Sequence, residues 1–373
     1  MNKKRDTKIM YAYWQLLQNR LSIIKFLTML NQHSTNIFNR NKFWFEITNS
    51  VGISNSSSKT LVWLLLPRMI KKLNRMPKTD YLIYPKRFPG LKEKIRNYKL
   101  INKNMSLPEL KLEVSKDQIN RNICKTDLEI LISINALKEF KKLDSCIQLF
   151  KEHRIPITYV NLRHYFYSQQ IIEALKIGNK SKLKILEIGG GGGNLKTILK
   201  VQINSLIQNY LVIDLPEMIA ISAYSTSRFF KFEKIEFLDK YSKTDLNSGS
   251  SYLSAGDLEF FNNVHTRKFD LILNTHSFQE MDNSVVRGYF ELIYQQANNN
   301  CLFFQSNWYQ PQMSQLDGQF IDNNPEDYPY RESDEVIFEG EDPFTHYLSS
   351  KLSYKPTRHS FTSIRYINFK SVT

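Results

Sequence analysis

Residues 184–195 read KILEIGGGGGNL, an apolar run that leads directly into five consecutive glycines. Residues 185–188 predict a buried parallel strand, and residues 195–200 begin an amphipathic helical pattern. Glycine lets the backbone turn at positive φ and lets a ligand approach without a Cβ in the way. The free N–H groups at the start of the helix can bind a polar or anionic group. A strand, a glycine turn and a helix in this order are typical of the first unit of a nucleotide-binding α/β fold.

The spacing of the glycines separates the classes of nucleotide-binding loop. The dinucleotide pattern G-x-G-x-x-G requires a third glycine where this chain has Asn194, and no Gly-Lys-Ser/Thr follows to make a P-loop. The spacing acid-x-Gly-x-Gly-x-Gly fits instead, on Glu187, Gly189, Gly191 and Gly193. This pattern resembles motif I of class I S-adenosylmethionine (SAM)-dependent methyltransferases. The resemblance implies that the loop wraps the methionine part of SAM and that Glu187 contacts its amino group or orders nearby water.

A second apolar strand, residues 210–213, ends in Asp214, which lies 23 residues after Gly191. An acid at the tip of the second strand can accept hydrogen bonds from both ribose hydroxyls, and it is expected about 20 residues after the loop. We therefore predict that Asp214 binds the cofactor ribose, and the alternative is an ordinary Asp in a turn. Residues 213–217, Ile-Asp-Leu-Pro-Glu, also resemble the Asp-Leu-Pro segment of small-molecule O-methyltransferases.

Over about residues 155–310 the chain resembles the bacterial sugar O-methyltransferases that are associated with surface-polysaccharide synthesis. This resemblance implies an α/β fold with a mostly parallel, Rossmann-like sheet and an antiparallel last strand. It also implies that Asp257, near the third strand end, lies on the adenine side of SAM, and a turn or helix-cap Asp is the alternative. Asn274 ends the fourth strand, residues 269–274. It is a predicted cofactor contact because ligands of open α/β sheets bind at the carboxyl ends of the strands.

The loop after this strand, residues 275–282, carries the catalytic candidates. A sugar hydroxyl has a high pKa, so its methylation needs a general base, and His is the usual choice near neutral pH. We predict that His276 is the base, although its context, His-Ser-Phe, matches the pattern of the O-methyltransferases only in part. A His bonded to the loop backbone is the alternative. Glu280 orients His276 or is itself the base, or it is a helix-cap partner. Asn307 and Trp308 are predicted to line the acceptor site.

A metal ion is not predicted. Asp282 is the single Asp in the loop and no paired acids occur there, although some of the sugar O-methyltransferases that the chain resembles use Mg²⁺. The three cysteines, Cys124, Cys146 and Cys301, are odd in number and far apart. They form neither a disulfide framework nor a zinc pattern, which favours a reducing compartment.

The net charge of +15 is unevenly distributed. Residues 1–125 hold 25 Lys and Arg against 7 Asp and Glu, whereas the rest of the chain holds 26 against 29. The basic N-terminal region can contact anionic lipid head groups, an acidic glycan or nucleic acid, or it is simply a solvated lysine-rich surface. The longest apolar run, residues 61–66, is far shorter than the ~20 residues that a membrane span requires. We therefore expect a cytoplasmic protein.

Two domains are predicted: a helical, basic region in residues 1–150 and the SAM-binding domain in residues 151–373. The N-terminal region caps the site, forms a homodimer or docks peripherally on a membrane, and the sequence leaves these alternatives open. Helical spacing predicts helices at residues 11–24, 60–73, 115–152, 158–177, 217–230 and 285–296. Residues 232–238 read as a strand or an insertion, residues 301–307 and 361–369 as strands, and residues 322–342 as an acidic, turn-rich stretch.

The function that the sequence predicts best is SAM-dependent methylation of a sugar hydroxyl on a surface glycan or its precursor. The SAM part follows from the residues, and the sugar part follows from the resemblance alone. An RNA or protein methyltransferase that uses the basic region is one alternative. The Asn/Asp-Pro-Pro-Tyr motif of base methylation is absent, since residues 274–277 read Asn-Thr-His-Ser, and nucleic acid is therefore not favoured. A non-catalytic methyltransferase-fold interaction subunit is the other alternative.

Overall fold

The computed structural model describes residue 22 and residues 125–175, 182–239, 242, 248–263, 269–309, 323–352 and 359–368. The helices predicted at residues 11–24 and 60–73 lie outside this part of the chain, apart from Ser22, which is helical. Among the described helices, none combines the length and the hydropathy that crossing a bilayer requires.

Three described helices come before the sheet: α1 Lys125–Glu139, α2 Leu143–His153 and α3 Tyr159–Ala174. The helix α2 ends where Arg154 adopts a left-handed conformation with φ 55°, two residues before Pro156. The helix α3 begins after Thr158, whose side chain accepts a hydrogen bond from the N–H of Asn161 at 3.1 Å, an N-cap that satisfies one free donor of the first turn. The helices predicted at residues 115–152 and 158–177 are confirmed within the described part.

The chain then builds one eight-stranded sheet from its described residues. Its strands are β1 Leu183–Ile188, β2 Ile207–Asp214, β3 Ile235–Leu238, β4 Gly249–Ser254, β5 Phe269–Thr275, β6 Ala297–Trp308, β7 Glu335–Glu341 and β8 Ser360–Ile367. They lie in the order β3-β4-β2-β1-β5-β6-β8-β7. The strand β8 runs antiparallel to both of its neighbours, and all other paired strands are parallel. The predicted fold, a mostly parallel sheet whose last strand is antiparallel, is confirmed.

The order of the strands reverses beside β1. From β1 the chain adds β2, β4 and β3 on one side and then returns to add β5 and β6 on the other. In open α/β sheets such a switch point opens a crevice at the carboxyl ends of the strands, and ligands bind there. The glycine run of residues 189–193 follows β1 directly, so the sheet places it at this crevice.

Helices cover the two faces of the sheet, because side chains of a strand point alternately to either face. The helices α4 Asn194–Ile203, α5 Pro216–Phe229 and α7 Pro343–Leu352 share one hydrophobic cluster with α1, α2, α3 and Ile185 of β1. The helix α6 Asn283–Gln296 packs on the other face, in a cluster that contains Leu186 and Ile188. The predicted domain boundary at residue 150 falls inside α2.

The structure differs from the sequence prediction at residues 322–342, which contain β7 instead of turns alone. Val336 and Ile337 of β7 are 47% and 42% exposed. Within the described residues β7 pairs only with β8, so it is an edge strand. An edge strand needs no buried apolar face, and its acidic ends therefore concealed it from a hydrophobic-pattern analysis.

Candidate active site

The glycine run turns with a backbone that favours glycine. Gly189, Gly191 and Gly193 have φ values of 73°, 53° and 77°, in the left-handed region where a side chain is strained. The N–H of Gly189 donates to the carbonyl of Ile213 in β2 at 2.7 Å, and the carbonyl of Gly193 accepts from the N–H of Thr197 at 2.9 Å in the first turn of α4. The loop is thus joined to β2 at its start and to α4 at its end.

The surroundings of the three glycines differ. A Cβ added at Gly189 would lie 1.9 Å from Oγ of Ser277, and one at Gly193 would lie 2.6 Å from Oγ of Ser222. A Cβ at Gly191 would meet no atom within 4 Å. The outer glycines therefore pack tightly against neighbouring elements, while Gly191 borders open space at the carboxyl edge of the sheet.

Asp214 lies at the tip of β2 and faces the same loop. Its Oδ2 accepts a hydrogen bond from the N–H of Gly191 at 2.6 Å, and its Oδ1 accepts from the N–H of Leu215 at 2.6 Å. Each carboxylate oxygen can accept more than one hydrogen bond, so these two bonds do not prevent a contact with a ligand hydroxyl. The structure therefore brings together Asp214 and the middle glycine. The predicted contact of Asp214 with a ribose remains a prediction.

Glu187 lies beneath the loop, on the face of β1 that α4 covers. It is 1% exposed, and its Oε2 accepts a hydrogen bond from the hydroxyl of Tyr210 at 2.9 Å. Burial raises the pKa of Glu187 to about 7, and Tyr210 and Lys196 oppose this increase. Lys196 is itself fully buried, and its Nζ donates to the hydroxyl of Tyr252 at 2.6 Å. The predicted contact of Glu187 with the amino group of SAM, direct or through water, remains a prediction.

Asn274, at the carboxyl end of β5, is fully buried and holds three segments together. Its Nδ2 donates to the carbonyl of Ile188 at 2.9 Å, and its Oδ1 accepts from the side chain of Asn307 at 2.9 Å. Asn307 is also fully buried, and its Oδ1 accepts from the N–H of Gln279 at 3.3 Å. Asn307 thus supports the loop from behind, unlike the predicted position lining the acceptor site. The predicted cofactor contact of Asn274 stays a prediction.

His276 begins the loop after β5 with a φ of 54°, which is unusual for a residue with a side chain. Its N–H donates to the carbonyl of Ser306 at 2.8 Å, so the end of β6 holds the residue in place. Its ring is half-buried, with Nε2 lying 3.2 Å from the hydroxyl of Tyr167 and Nδ1 lying 3.3 Å from Oε1 of Gln279. The ring centroid of Trp308 lies 5.5 Å away.

The remaining predicted residues lie around this loop. Glu280 is the last residue of a 3-10 turn, Phe278–Glu280, and its N–H donates to the carbonyl of Ser277 at 3.0 Å. Asp282 is exposed and directly precedes α6. Asp257 lies in the 3-10 helix that follows β4, with a non-helical φ of −109°. Within the described residues, no three His, Cys, Asp or Glu side chains come together in a group that could hold a metal ion.

Behind His276 lies a buried polar group that the sequence analysis did not find. The hydroxyl of Ser306 lies 3.0 Å from the hydroxyl of Tyr167 and 3.3 Å from Oδ2 of Asp342. Thr362 Oγ1 lies 3.0 Å from the same Ser306 hydroxyl. All four residues are fully buried, and they come from α3, β6, the β7–α7 junction and β8. Such separated positions leave no local motif in the sequence.

No protein-family model matches the chain, and no curated protein matches it. Its fold is similar to that of magnesium protoporphyrin IX methyltransferase from Synechocystis with bound SAM, at 11% identity and a TM-score of 0.32, over 56% of this chain and 80% of that one. It is also similar to the plantazolicin methyltransferase in complex with SAH, at 12% identity and a TM-score of 0.35, over 65% of this chain and 96% of that one. A third similar structure is a Haemonchus contortus phosphoethanolamine N-methyltransferase, at 13% identity and a TM-score of 0.35, over 55% of this chain and 53% of that one. These identities and TM-scores are too low to support an inference about function.

Proposed function

We propose that this protein is a SAM-dependent methyltransferase. The observation that carries the proposal is the hydrogen bond of 2.6 Å from the N–H of Gly191 to Asp214, at the switch point of the sheet. It joins the middle glycine of the acid-x-Gly-x-Gly-x-Gly loop to the acid at the tip of β2. Beside it, Gly191 borders space that a Cβ would enter without meeting any atom within 4 Å. This arrangement suits a nucleoside whose ribose binds Asp214 while the rest of the ligand crosses the loop.

The residues present fit SAM in the following way. Asp214 accepts hydrogen bonds from the ribose hydroxyls, and Gly191 and its neighbours let the ligand approach the loop backbone. Asp257 lies in the 3-10 helix that follows β4, the strand beside β2, and we assign it to the adenine side. SAM, when bound, supplies a methyl group on a sulfonium that is a good leaving group. The protein then has to hold an acceptor near that methyl group and remove the acceptor's proton.

The acceptor we propose is a sugar hydroxyl, on a surface glycan or on its nucleotide- or lipid-linked precursor. The support for this acceptor is the resemblance described for residues 155–310, together with the His276 loop at the carboxyl edge of the sheet. A hydroxyl nucleophile needs a general base, and we assign that role to His276, with Glu280 as its second candidate. An RNA or protein acceptor and a non-catalytic interaction subunit are the competing functions.

Calorimetric titration of SAM into the wild-type protein and into Asp214→Ala tests the cofactor assignment. The wild type should bind SAM, and Asp214→Ala should bind it at least about tenfold more weakly, because one hydrogen bond to a charged group contributes about 1.5–3 kcal/mol. Asp270→Ala is the matched control, since Asp270 is also partly buried but accepts from the N–H of Lys184 at the opposite end of the sheet. Failure of the wild type to bind SAM would sink the proposal.

His276→Ala tests whether the protein is an enzyme. An enzyme should lose turnover with sugar acceptors while its affinity for SAM changes little, because His276 is assigned to the acceptor and not to the cofactor. Methyl transfer from labelled SAM to a panel of nucleotide sugars, lipid-linked sugars and RNA identifies the acceptor class. Transfer to RNA alone would favour the competing function, and that binding should weaken steeply with salt.

A further inference from the structure

The hydrogen bonds around His276 determine which nitrogen of its ring carries the proton. Oε1 of Gln279 accepts from the N–H of Trp308 at 2.7 Å, which identifies that atom of the amide as the oxygen. Because the same oxygen lies 3.3 Å from Nδ1 of His276, Nδ1 must be the donor in that contact. The lone pair of the neutral ring is therefore on Nε2, where the hydroxyl of Tyr167 donates to it at 3.2 Å.

In this state neither nitrogen of His276 is available to an acceptor hydroxyl. Nε2 points to Tyr167, which is fully buried, and Nδ1 carries a proton. The contact with Gln279 is long for a hydrogen bond, and the oxygen of Gln279 already has its shorter partner in Trp308. An acceptor hydroxyl that displaced Gln279 from Nδ1 would therefore lose little of the existing hydrogen bonding.

The buried polar residues behind Tyr167 favour the other tautomer of His276, in which Nε2 carries the proton. Burial and the neighbouring Asp342 carboxylate hold the pKa of Tyr167 well above its ordinary value, so its hydroxyl keeps its proton. Asp342 accepts from the N–H groups of Phe344 and Thr345 at 2.8 and 2.9 Å, at the start of α7. Burial raises the pKa of Asp342, whereas its hydrogen bonds with Tyr167 and Thr345 and the charge of Arg163 oppose the increase. Ser306 Oγ lies 3.0 Å from the Tyr167 hydroxyl and 3.3 Å from Oδ2 of Asp342, so Tyr167 can donate a hydrogen bond to Ser306 while Ser306 donates one to Asp342.

We propose that Asp342, acting through Tyr167, positions His276 as the base by holding the proton on Nε2 when the acceptor binds. The hydroxyl of Tyr167 donates to Ser306 Oγ, and the hydroxyl of Ser306 donates to Asp342. The oxygen of Tyr167 then accepts a hydrogen bond from Nε2–H, which leaves the lone pair on Nδ1. The proton of the acceptor hydroxyl then moves to Nδ1 as its oxygen bonds to the methyl carbon. The bond from that carbon to the sulfonium sulfur breaks, and its electron pair goes to the sulfur, which leaves as a neutral thioether. The ring becomes an imidazolium, and Asp342 offsets its charge through the hydroxyls of Ser306 and Tyr167. The part of this inference that concerns the acceptor rests on the proposed function, whereas the part that concerns the tautomer of His276 does not.

The tautomer of His276 can be measured without any methyl transfer. In protein labelled with ¹⁵N-histidine, long-range ¹H–¹⁵N correlation spectra distinguish Nδ1–H from Nε2–H, and His276→Gln assigns the signals. The wild type should show Nδ1–H. Gln279→Met, which keeps the length of the side chain and removes its oxygen, should shift His276 to Nε2–H. In Gln279→Met the Nε2–H proton should resonate downfield and exchange slowly, because it donates to Tyr167, and adding Tyr167→Phe or Asp342→Asn should move its signal upfield and speed its exchange.

Two controls separate this role from a general structural one. Tyr165→Phe removes another buried hydroxyl of α3, one that bonds to Ser145 at 2.8 Å, and it should leave the tautomer unchanged. Asp342→Asn keeps an oxygen that can accept from the N–H groups of α7, so the helix cap survives. A Gln279→Met protein whose Nε2–H signal and exchange rate are unaffected by both Tyr167→Phe and Asp342→Asn would overturn the inference.

Turnover provides the second readout. Tyr167→Phe should lower the turnover number about 10- to 100-fold at saturating SAM and acceptor, with SAM affinity unchanged, because acid–base assistance commonly contributes on the order of 10²–10⁴-fold. Tyr165→Phe should leave turnover unchanged. If the NMR spectra match the expectation but no acceptor is methylated, the proposed function is wrong, while the effect of Tyr167 and Asp342 on the His276 ring is confirmed. If Tyr167→Phe turns over like the wild type, the protein is an enzyme but Asp342 does not position His276 through Tyr167.

Discussion

Glu187 is the residue whose burial has the clearest energetic consequence. Its carboxyl is 1% exposed, and burial raises its pKa to about 7 from an ordinary value of 4.5. The folded protein therefore holds a proton at Glu187, between about pH 4.5 and pH 7, that the unfolded chain has released. The stability that this group contributes is fully present below the pKa of Glu187 in the unfolded chain. It is lost as the pH rises through the pKa of Glu187 in the folded protein.

We expect the free energy of unfolding to fall by about 2–3 kcal/mol from this group between pH 4.5 and pH 7, since one pKa unit corresponds to ~1.4 kcal/mol. Glu187→Gln should lack this decrease, because the amide carries no charge and its oxygen can still accept from Tyr210. Denaturant unfolding at several pH values measures the difference. Glu236→Gln, a change at a partly buried Glu of β3, is the control. Parallel pH profiles for wild type and Glu187→Gln would contradict the prediction.

Individual residues were predictable from sequence where a spacing expresses a backbone or ligand requirement. Asp214 and Gly191 belong to this kind, and the structure joins them by a hydrogen bond. Tyr167 and Asp342 were not predictable in this way, because only the folded sheet brings them near His276. The sequence favours Glu280 as the partner of His276, whereas in the structure the oxygen of Gln279 contacts the ring. Adjacent loop residues point in different directions, and no periodicity tells them apart.

Among the elements, the glycine loop allows a matched comparison of two glycines with similar backbone conformations. Gly189 and Gly191 have φ values of 73° and 53°, so an added side chain is strained at both. Only Gly189 also has a close neighbour, since its new Cβ would lie 1.9 Å from Oγ and 2.2 Å from Cβ of Ser277. The cost at Gly191 is therefore conformational, whereas the cost at Gly189 includes a displaced loop.

Gly191→Ala should reduce the free energy of unfolding by about 1–2 kcal/mol, and Gly189→Ala by about 2–5 kcal/mol because overpacking adds to the strain. Thermal or denaturant unfolding of the two variants tests this order. Gly191→Ala should nevertheless bind SAM more weakly, because its Cβ enters the space that we assign to the cofactor. Equal stability of the two variants, or unchanged SAM affinity in Gly191→Ala, would count against this description of the loop.

Most elements were predictable because they are either buried apolar strands or amphipathic helices. The strands β1, β2 and β5 each contain a short apolar run, at residues 185–186, 210–213 and 271–273, as strands covered on both faces do. The edge strand β7 lacks this signature, since most of its residues are exposed. The helix α7 follows β7 directly and was not predicted either. A hydrophobic pattern detects what a segment buries, and these two segments bury little or depend on neighbours that are distant in sequence.

At the scale of the whole molecule, the sheet places its most buried strands at the centre and its least buried strands at the two edges. The strand β1 lies between β2 and β5, and nearly all of its residues are buried. The edge strand β7 has exposed or half-buried residues throughout. Local opening should therefore cost much less free energy at β7 than at β1.

Amide hydrogen exchange monitored by mass spectrometry should show β1, β2 and β5 exchanging by global unfolding alone. Peptides from β7 should exchange at least about 100-fold faster, which corresponds to a difference of about 3 kcal/mol in opening free energy. Addition of SAM should slow exchange in residues 189–193 and around Asp214 and leave β7 unchanged. Uniform protection across the sheet would contradict this gradient.

The position of β8 implies an order of events during synthesis. This strand follows β7 along the chain, yet it lies between β6 and β7 and contributes Thr362 to the polar group behind His276. A ribosome that has released only the segment through β6 has already delivered the glycine loop, Asp214 and the loop of His276. Asp342 and Thr362 emerge later, since domains form as their segments leave the ribosome. A nascent chain thus acquires the parts that we assign to its cofactor before it acquires the support for its base, and methylation competence reports that the last strand has been inserted.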